Sequence, residues 1–158
     1  MESGTFSTPI DKRYFEDYVP GTRYEFGEIG VSQAEIVDFA QRFDPQVFHV
    51  DPEGAQATPF GGLIASGWHT GSLMMRLIAD HYLSSVASLA SPGVDELRWL
   101  RPVRPGDRLR VRILVVDAHR SRTKPDRGMV RSSVEVVNQQ GETVMSMILM
   151  NFLRCRNV

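Results

Sequence analysis

Period-two alternation governs the C-terminal half of the chain. Leu109, Val111, Ile113 and Val115 interleave with Arg108, Arg110, Arg112 and Leu114, and Val130, Ser132, Val134 and Val136 interleave with Arg131, Ser133 and Glu135. This pattern predicts two half-buried strands. Val144 to Leu153 is apolar on both faces, as expected of a central strand or one at a subunit interface. Val94 to Arg101 reads as a further strand, ahead of Pro102. Gln140-Gly141 and the basic loop from His119 to Gly128 are the predicted hairpin turns.

The N-terminal half changes period. Residues 1 to about 20 read as an irregular arm ending at Pro20-Gly21, followed by a short strand from Tyr24 to Gly30. Ser32 and Glu35 have capping-box spacing and open a helix that runs to about Phe43, where Asp44-Pro45 ends it. Asp51-Pro52-Glu53 starts a short helical turn through about Ala57, with an N-cap, a proline at the first position and an acid against the dipole. Ser66 to about Ser85 carries the longest helical pattern. Leu73, Met74, Leu77, Ile78 and Tyr82 recur at helical spacing, and Met75, Ala79 and Leu83 spread apolar surface around the rest, which predicts a buried helix. A buried helix needs a cover, and the four-strand run that follows is the surface available to wrap it. The predicted class is α+β, a single domain over residues 1–158 in which an antiparallel sheet wraps one long central helix.

Composition narrows the possibilities. A chain of 158 residues with 42% hydrophobic and 23% charged positions suits one globular domain. The net charge of −1 supplies no basic field for nucleic acid. No apolar run reaches membrane-spanning length and no leader pattern is visible in residues 1–12, so no membrane partner is expected and the cytoplasm is the expected compartment. A lone Cys155 excludes an intrachain disulfide and reads as inert. His69, His81 and His119 lack metal-ligand spacing, so no metal is expected. There is no nucleophile elbow around Ser66, no phosphate-binding loop and no dinucleotide fingerprint.

Three stretches carry candidate chemistry. In Phe43-Asp44-Pro45-Gln46-Val47-Phe48-His49-Val50-Asp51, a carboxylate and an imidazole lie five residues apart in a proline-containing loop between helices. Such a pair can hold one water and move protons to and from it. The same residues also suit a turn-capping Asp and a packed His, and the stretch alone leaves both readings open. The second stretch, Gly61-Gly62-Leu63-Ile64-Ala65-Ser66-Gly67-Trp68, leads into the buried helix, where backbone N–H groups are unpaired. Gly67 N–H is a candidate oxyanion donor, with tight packing the other reason for a glycine there. In the third stretch, Arg98 to Asp107, Arg98, Arg101 and Arg104 are candidate phosphate contacts or a solvated basic face. Arg108, Arg110 and Arg112 read as the wet side of a strand.

In this order, the three stretches resemble the MaoC-like dehydratase family, which includes the (R)-specific enoyl-CoA hydratases and has the hot-dog fold. The family motif is roughly Asp-x-Asn-Pro-x-His, and Asp44 and His49 fall on its two catalytic positions. Gln46 and Val47 replace its Asn and Pro, and bulky Phe43 is expected to narrow the acyl tunnel. The resemblance spans about Tyr14 to Phe152. It implies Asp44 and His49 as the acid/base pair, with the choice of base open, and Gly67, Ser66 and Gln46 around a thioester oxygen and the pair. It further implies an acyl-CoA substrate with no cofactor beyond the coenzyme A of that substrate, and a homodimer or dimer of dimers. The implied reaction is hydration of an enoyl thioester to an (R)-3-hydroxyacyl thioester, and dehydration in reverse. A non-catalytic acyl-CoA-binding protein and a hot-dog thioesterase remain as alternatives. The thioesterase would want an acid early on the central helix, whereas Asp80 lies far along it.

Overall fold

Three of the four α-helices begin where a side chain satisfies one or more of their first amides. In the computed structural model, which describes residues 4–157, helix α1 (Gln33–Phe43) opens on a closed capping box. Glu35 N–H donates to Ser32 Oγ at 3.2 Å, and Ser32 N–H donates to Glu35 Oε2 at 3.1 Å. Asp51 Oδ1 accepts from Glu53 and Gly54 N–H to cap α3 (Pro52–Gln56). Between them the chain makes one unforeseen turn of helix, α2 (Val47–Val50), so His49 stands on a helical turn rather than in an open loop. The four residues Val-Phe-His-Val carry little helical preference, and neighbouring structure decides their state.

The central helix α4 spans Gly67–His81, shorter than the apolar pattern alone suggests. Its end is set from outside: Arg13, in the N-terminal arm, donates to the carbonyls of His81 and Tyr82 at 2.9 and 3.0 Å. Tyr18 Oη donates to the same Tyr82 carbonyl at 2.7 Å. These bonds consume the carbonyls that further helix would need. The arm is therefore packed rather than loose. It contains two short 3-10 turns, Ile10–Lys12 and Phe15–Asp17, and buries both Arg13 and Tyr18.

Five antiparallel strands curve around α4 in the order β1-β3-β4-β5-β2, which is the hot-dog arrangement. They are β1 (Arg23–Gly30), β2 (Ser88–Trp99), β3 (Arg108–Arg120), β4 (Arg127–Val137) and β5 (Thr143–Arg154). The alternation in β3 and β4 appears as expected, with Leu109, Val111, Ile113, Val115, Val130, Val134 and Val136 all buried. Arg108, Arg110 and Arg112 face solvent and pair with Glu25 and Glu28 on β1. The doubly apolar β5 lies between β4 and β2. β2 begins six residues before the expected Val94 and is irregular. Three register shifts against β5, with positive φ at Ala90, Gly93 and Glu96, hide its period. Where α4 presses on β1, Gly27 adopts φ +75°, and a β-carbon there would lie 2.6 Å from Leu77 Cδ2. Met74, Leu77 and Ile78 of α4, with its C-cap Tyr82, complete the core between helix and sheet.

Candidate active site

α1 ends at Asp44 in an extended, non-helical conformation (φ −155°, ψ 66°), enforced by Pro45. The one-turn α2 then brings His49 back toward it. His49 Nε2 and Asp44 Oδ2 are 3.2 Å apart, with 7% and 19% of their side chains exposed. The Asp44 carboxylate has two further partners: Gln46 Nε2 donates to Oδ1 and Ser66 Oγ donates to Oδ2, both at 2.7 Å. Burial alone pushes the Asp44 carboxyl upward. The hydrogen bonds from Gln46 and Ser66, with the charge of His49, outweigh burial and hold it below the ordinary carboxylate value of 3.8. Asp44 is therefore ionised at neutral pH.

The His49 tautomer follows from its other side. Nδ1 lies 2.8 Å from the Ile64 carbonyl oxygen, which can only accept, so Nδ1 carries a proton. Nε2 is left as the one ring position open to proton exchange, and it faces a carboxylate. A proton shared between Nε2 and Oδ2, or a water placed against both, is the chemistry this geometry offers.

Ser66 links the pair to α4. Its hydroxyl donates to Asp44 while accepting weakly from Trp68 N–H at 3.3 Å, as the N-cap of the helix. The Ser66 carbonyl accepts from His69 and Thr70 N–H. Gly67 N–H has no acceptor among the described residues, and Gly67 lines the same cleft as Asp44 and His49. The cleft holds about 520 Å³; its apolar wall includes Phe60, Ile64, Trp68, Trp99, Val103 and Val144. A protic pair, an unpaired helix amide and an apolar wall thus meet in one cleft.

The glycine at 67 has a reason that local sequence does not reveal. A β-carbon at this position would lie 2.4 Å from the Trp99 indole, so the space a side chain would occupy is filled by Trp99. Trp99 lies in the third stretch, where nothing local marks it, because its contact reaches 32 residues back. The structure separates the three arginines. Arg101 lines the cleft, 3.8 Å from Glu142. Arg104 is held away, its Nη2 donating to the Phe60 carbonyl at 2.6 Å, and Arg98 projects from β2 outside the cleft lining. Phe43 does not narrow the cleft: it packs at a tilt against Phe39 and lies 62% exposed outside the lining. His69, just past the helix start, is buried against Phe39 with Nδ1 unpartnered; burial lowers its pKa against the opposing charge of Glu35.

A five-stranded sheet wrapped around a helix whose first residue lines one cleft with an Asp–His pair is the arrangement of the hot-dog dehydratase and hydratase class. Comparison with known proteins agrees. Over 92% of its length the chain superposes on 99% of a MaoC-like dehydratase from Rhodospirillum rubrum, with TM-score 0.85 and 37% identity. It superposes on the unliganded (R)-hydratase PhaJ1 of Pseudomonas aeruginosa with TM-score 0.72 and 25% identity, covering 89% and 85% of the two chains. It is also 34% identical, over 110 residues, to the 3-hydroxyacyl-thioester dehydratase Z of Mycobacterium tuberculosis, covering 68% of this chain and 73% of that protein. The MaoC like domain matches residues 16–138, and the chain belongs to that family.

Proposed function

We propose that this protein hydrates the double bond of an enoyl-CoA to give an (R)-3-hydroxyacyl-CoA, reversibly. The observation that carries the reading is the 3.2 Å approach of His49 Nε2 to Asp44 Oδ2 in a cleft that Gly67 also lines with an unpaired N–H. Water held against the pair loses a proton to it as its oxygen bonds to the β-carbon. The electrons of the double bond move toward the thioester carbonyl, where Gly67 N–H stabilises the enolate oxygen. A proton returns from the pair to the α-carbon, so the elements of water are added with no redox change. With Nδ1 committed to Ile64, all proton traffic on His49 runs through Nε2. Asp44, ionised and hydrogen-bonded from both sides, is the acceptor at the start of hydration. The expected cofactor is none beyond the substrate's own coenzyme A, and Arg101 is the arginine placed to meet its phosphates.

The relatives named as a dehydratase and an (R)-hydratase support this reaction class. The thioesterase alternative loses its acid: Asp80 pairs with Arg76 at 2.9 Å on the exposed side of α4, away from the cleft. The test is ultraviolet absorbance of crotonyl-CoA with a parallel thiol assay. Loss of the conjugated-thioester signal without thiol release is expected. Thiol release would make the protein a thioesterase, and neither signal across short, long and branched chains would make it a binding protein.

Two copies are proposed to join. No helix of the described residues is long and apolar enough to cross a membrane. Yet an apolar groove of about 340 Å³ lies open between α4 and the β2 edge, walled by Trp68, Met75, Val94, Leu97, Met147 and Leu149. An open strand edge beside such a groove suits pairing with a second copy. Native mass is expected to give a dimer or a dimer of dimers, and a monomer alone would overturn this. The cytoplasm is the proposed location.

A further inference from the structure

We propose that Trp99 is the positioning residue for the oxyanion donor at Gly67; the kinetic half of this inference rests on the hydratase reading above. Glycine is the residue with the widest backbone freedom, and a donor built on it needs restraint from elsewhere. One of the two peptide planes at Gly67 is held within α4. The plane that carries Gly67 N–H also carries the Ser66 carbonyl, which accepts from His69 and Thr70 N–H at 3.0 and 3.1 Å.

The other plane carries the Gly67 carbonyl, and Trp99 Nε1–H donates to it at 2.9 Å from across the fold. The indole also occupies the seat of the absent side chain, with ring atoms 2.4–2.7 Å from an ideal β-carbon position. Trp99 thus holds Gly67 by a hydrogen bond on one side and by ring contact on another. Its own position is fixed. It closes β2, paired with Met145 on β5, and the next two amides, of Leu100 and Arg101, both point at the Val144 carbonyl. Trp68 packs edge-on against the Trp99 ring, with centroids 5.0 Å apart at 78°. The helix thus holds the plane of the Gly67 N–H, the sheet through Trp99 holds the plane that follows it, and the donor residue is fixed from both sides.

An amide aimed at a developing enolate oxygen works mainly in the transition state, so losing its aim should appear in kcat rather than KM. Trp99→Phe keeps an aromatic ring and removes the Nε1–H donor. The expected result is a fall in kcat on crotonyl-CoA of about tenfold, with KM within about twofold and an unchanged melting temperature. The Gly67 amide resonance, sharp in wild type, should broaden by exchange in the same variant. Gly67→Ala, whose β-carbon displaces the Trp99 ring from its seat, should show the same kinetic split. A Trp99→Phe enzyme that keeps wild-type kcat, or changes only in KM, overturns the proposal, as does an unchanged Gly67 amide line. If wild type has no hydratase turnover, the functional reading fails by itself, and the amide line still decides whether Trp99 positions Gly67.

Discussion

At its C-terminal end α4 runs into a set of buried donors that leave little unsatisfied. Arg13 and Tyr18 donate to the last carbonyls, Ser84 N–H donates to Tyr18 Oη, and Ser84 Oγ donates to the Arg13 carbonyl. Around this lie Phe6, Tyr24 and Phe26, ring against ring with Tyr82. At the N-terminal end of the same helix, Gly67 N–H has no acceptor among the described residues, and the groups beside it are a carboxylate, an imidazole and a solvent-open cleft. Burial dominates the ionisation of the first end, pushing the Tyr18 phenol up to about 12. At the other end hydrogen bonds overcome burial and hold Asp44 charged. One end of the helix serves stability, and the other retains bonding capacity for a ligand, as expected when a rigid element presents a reactive site.

This division can be broken most severely at the closed end. Arg13→Leu strands the carbonyls of Thr8 and His81, takes one of two donors from the Tyr82 carbonyl and removes a guanidinium 3.7 Å above the Phe6 ring. A stability loss of about 3 kcal/mol is expected in denaturant titration, with turnover per folded molecule unchanged. A fall in turnover without a fall in stability would show that the two ends are not separate.

Ser66→Ala sharpens the comparison at the open end. It removes the donor to Asp44 Oδ2 and the N-cap of α4, at an expected stability cost of about 1 kcal/mol. By carbon-13 NMR the Asp44 carboxyl should then titrate closer to the ordinary 3.8. The sign follows from linkage: with the folded-state value depressed, ionised Asp44 adds stability above its unfolded-state value. That contribution disappears as pH falls through the folded-state value. Ser66→Ala should narrow this acid-side loss, and an unmoved titration would remove Ser66 from the charge balance.

The smallest effect is expected from Tyr82→Phe. It deletes one buried hydroxyl, 2.7 Å from Ser132 Oγ, and leaves the ring in place. About 1 kcal/mol is the expected cost in the same denaturant titration, with no change in KM or kcat.

What could be foreseen in the chain follows the same division between local and distant causes. The caps at Ser32, Asp51 and Ser66 act over two or three residues, and each marks a helix start in its own neighbourhood. The stretch from Asp44 to His49 left two readings open and the family resemblance favoured a pair; the two side chains do lie 3.2 Å apart, and the even alternation of β3 and β4 made the sheet plain. The end of α4 was not readable, because Arg13 stops it from 69 residues away. Nor was the first half of β2, where Pro92 and positive-φ residues break the period. Trp99 stayed hidden among arginines that drew attention by charge. Of those, Arg101 alone lines the cleft, since exposed long side chains are placed by tertiary contacts such as Arg104 with Phe60.

The most direct test of the open end as a hydration site is the rate of crotonyl-CoA hydration by wild type and Asp44→Asn, with melting temperatures measured alongside. The predicted result is hydration by wild type and a loss of 10²–10⁴-fold per folded molecule in Asp44→Asn, with a lowered melting temperature that still leaves the protein folded at the assay temperature. An Asp44→Asn protein that folds normally and hydrates at the wild-type rate would contradict it.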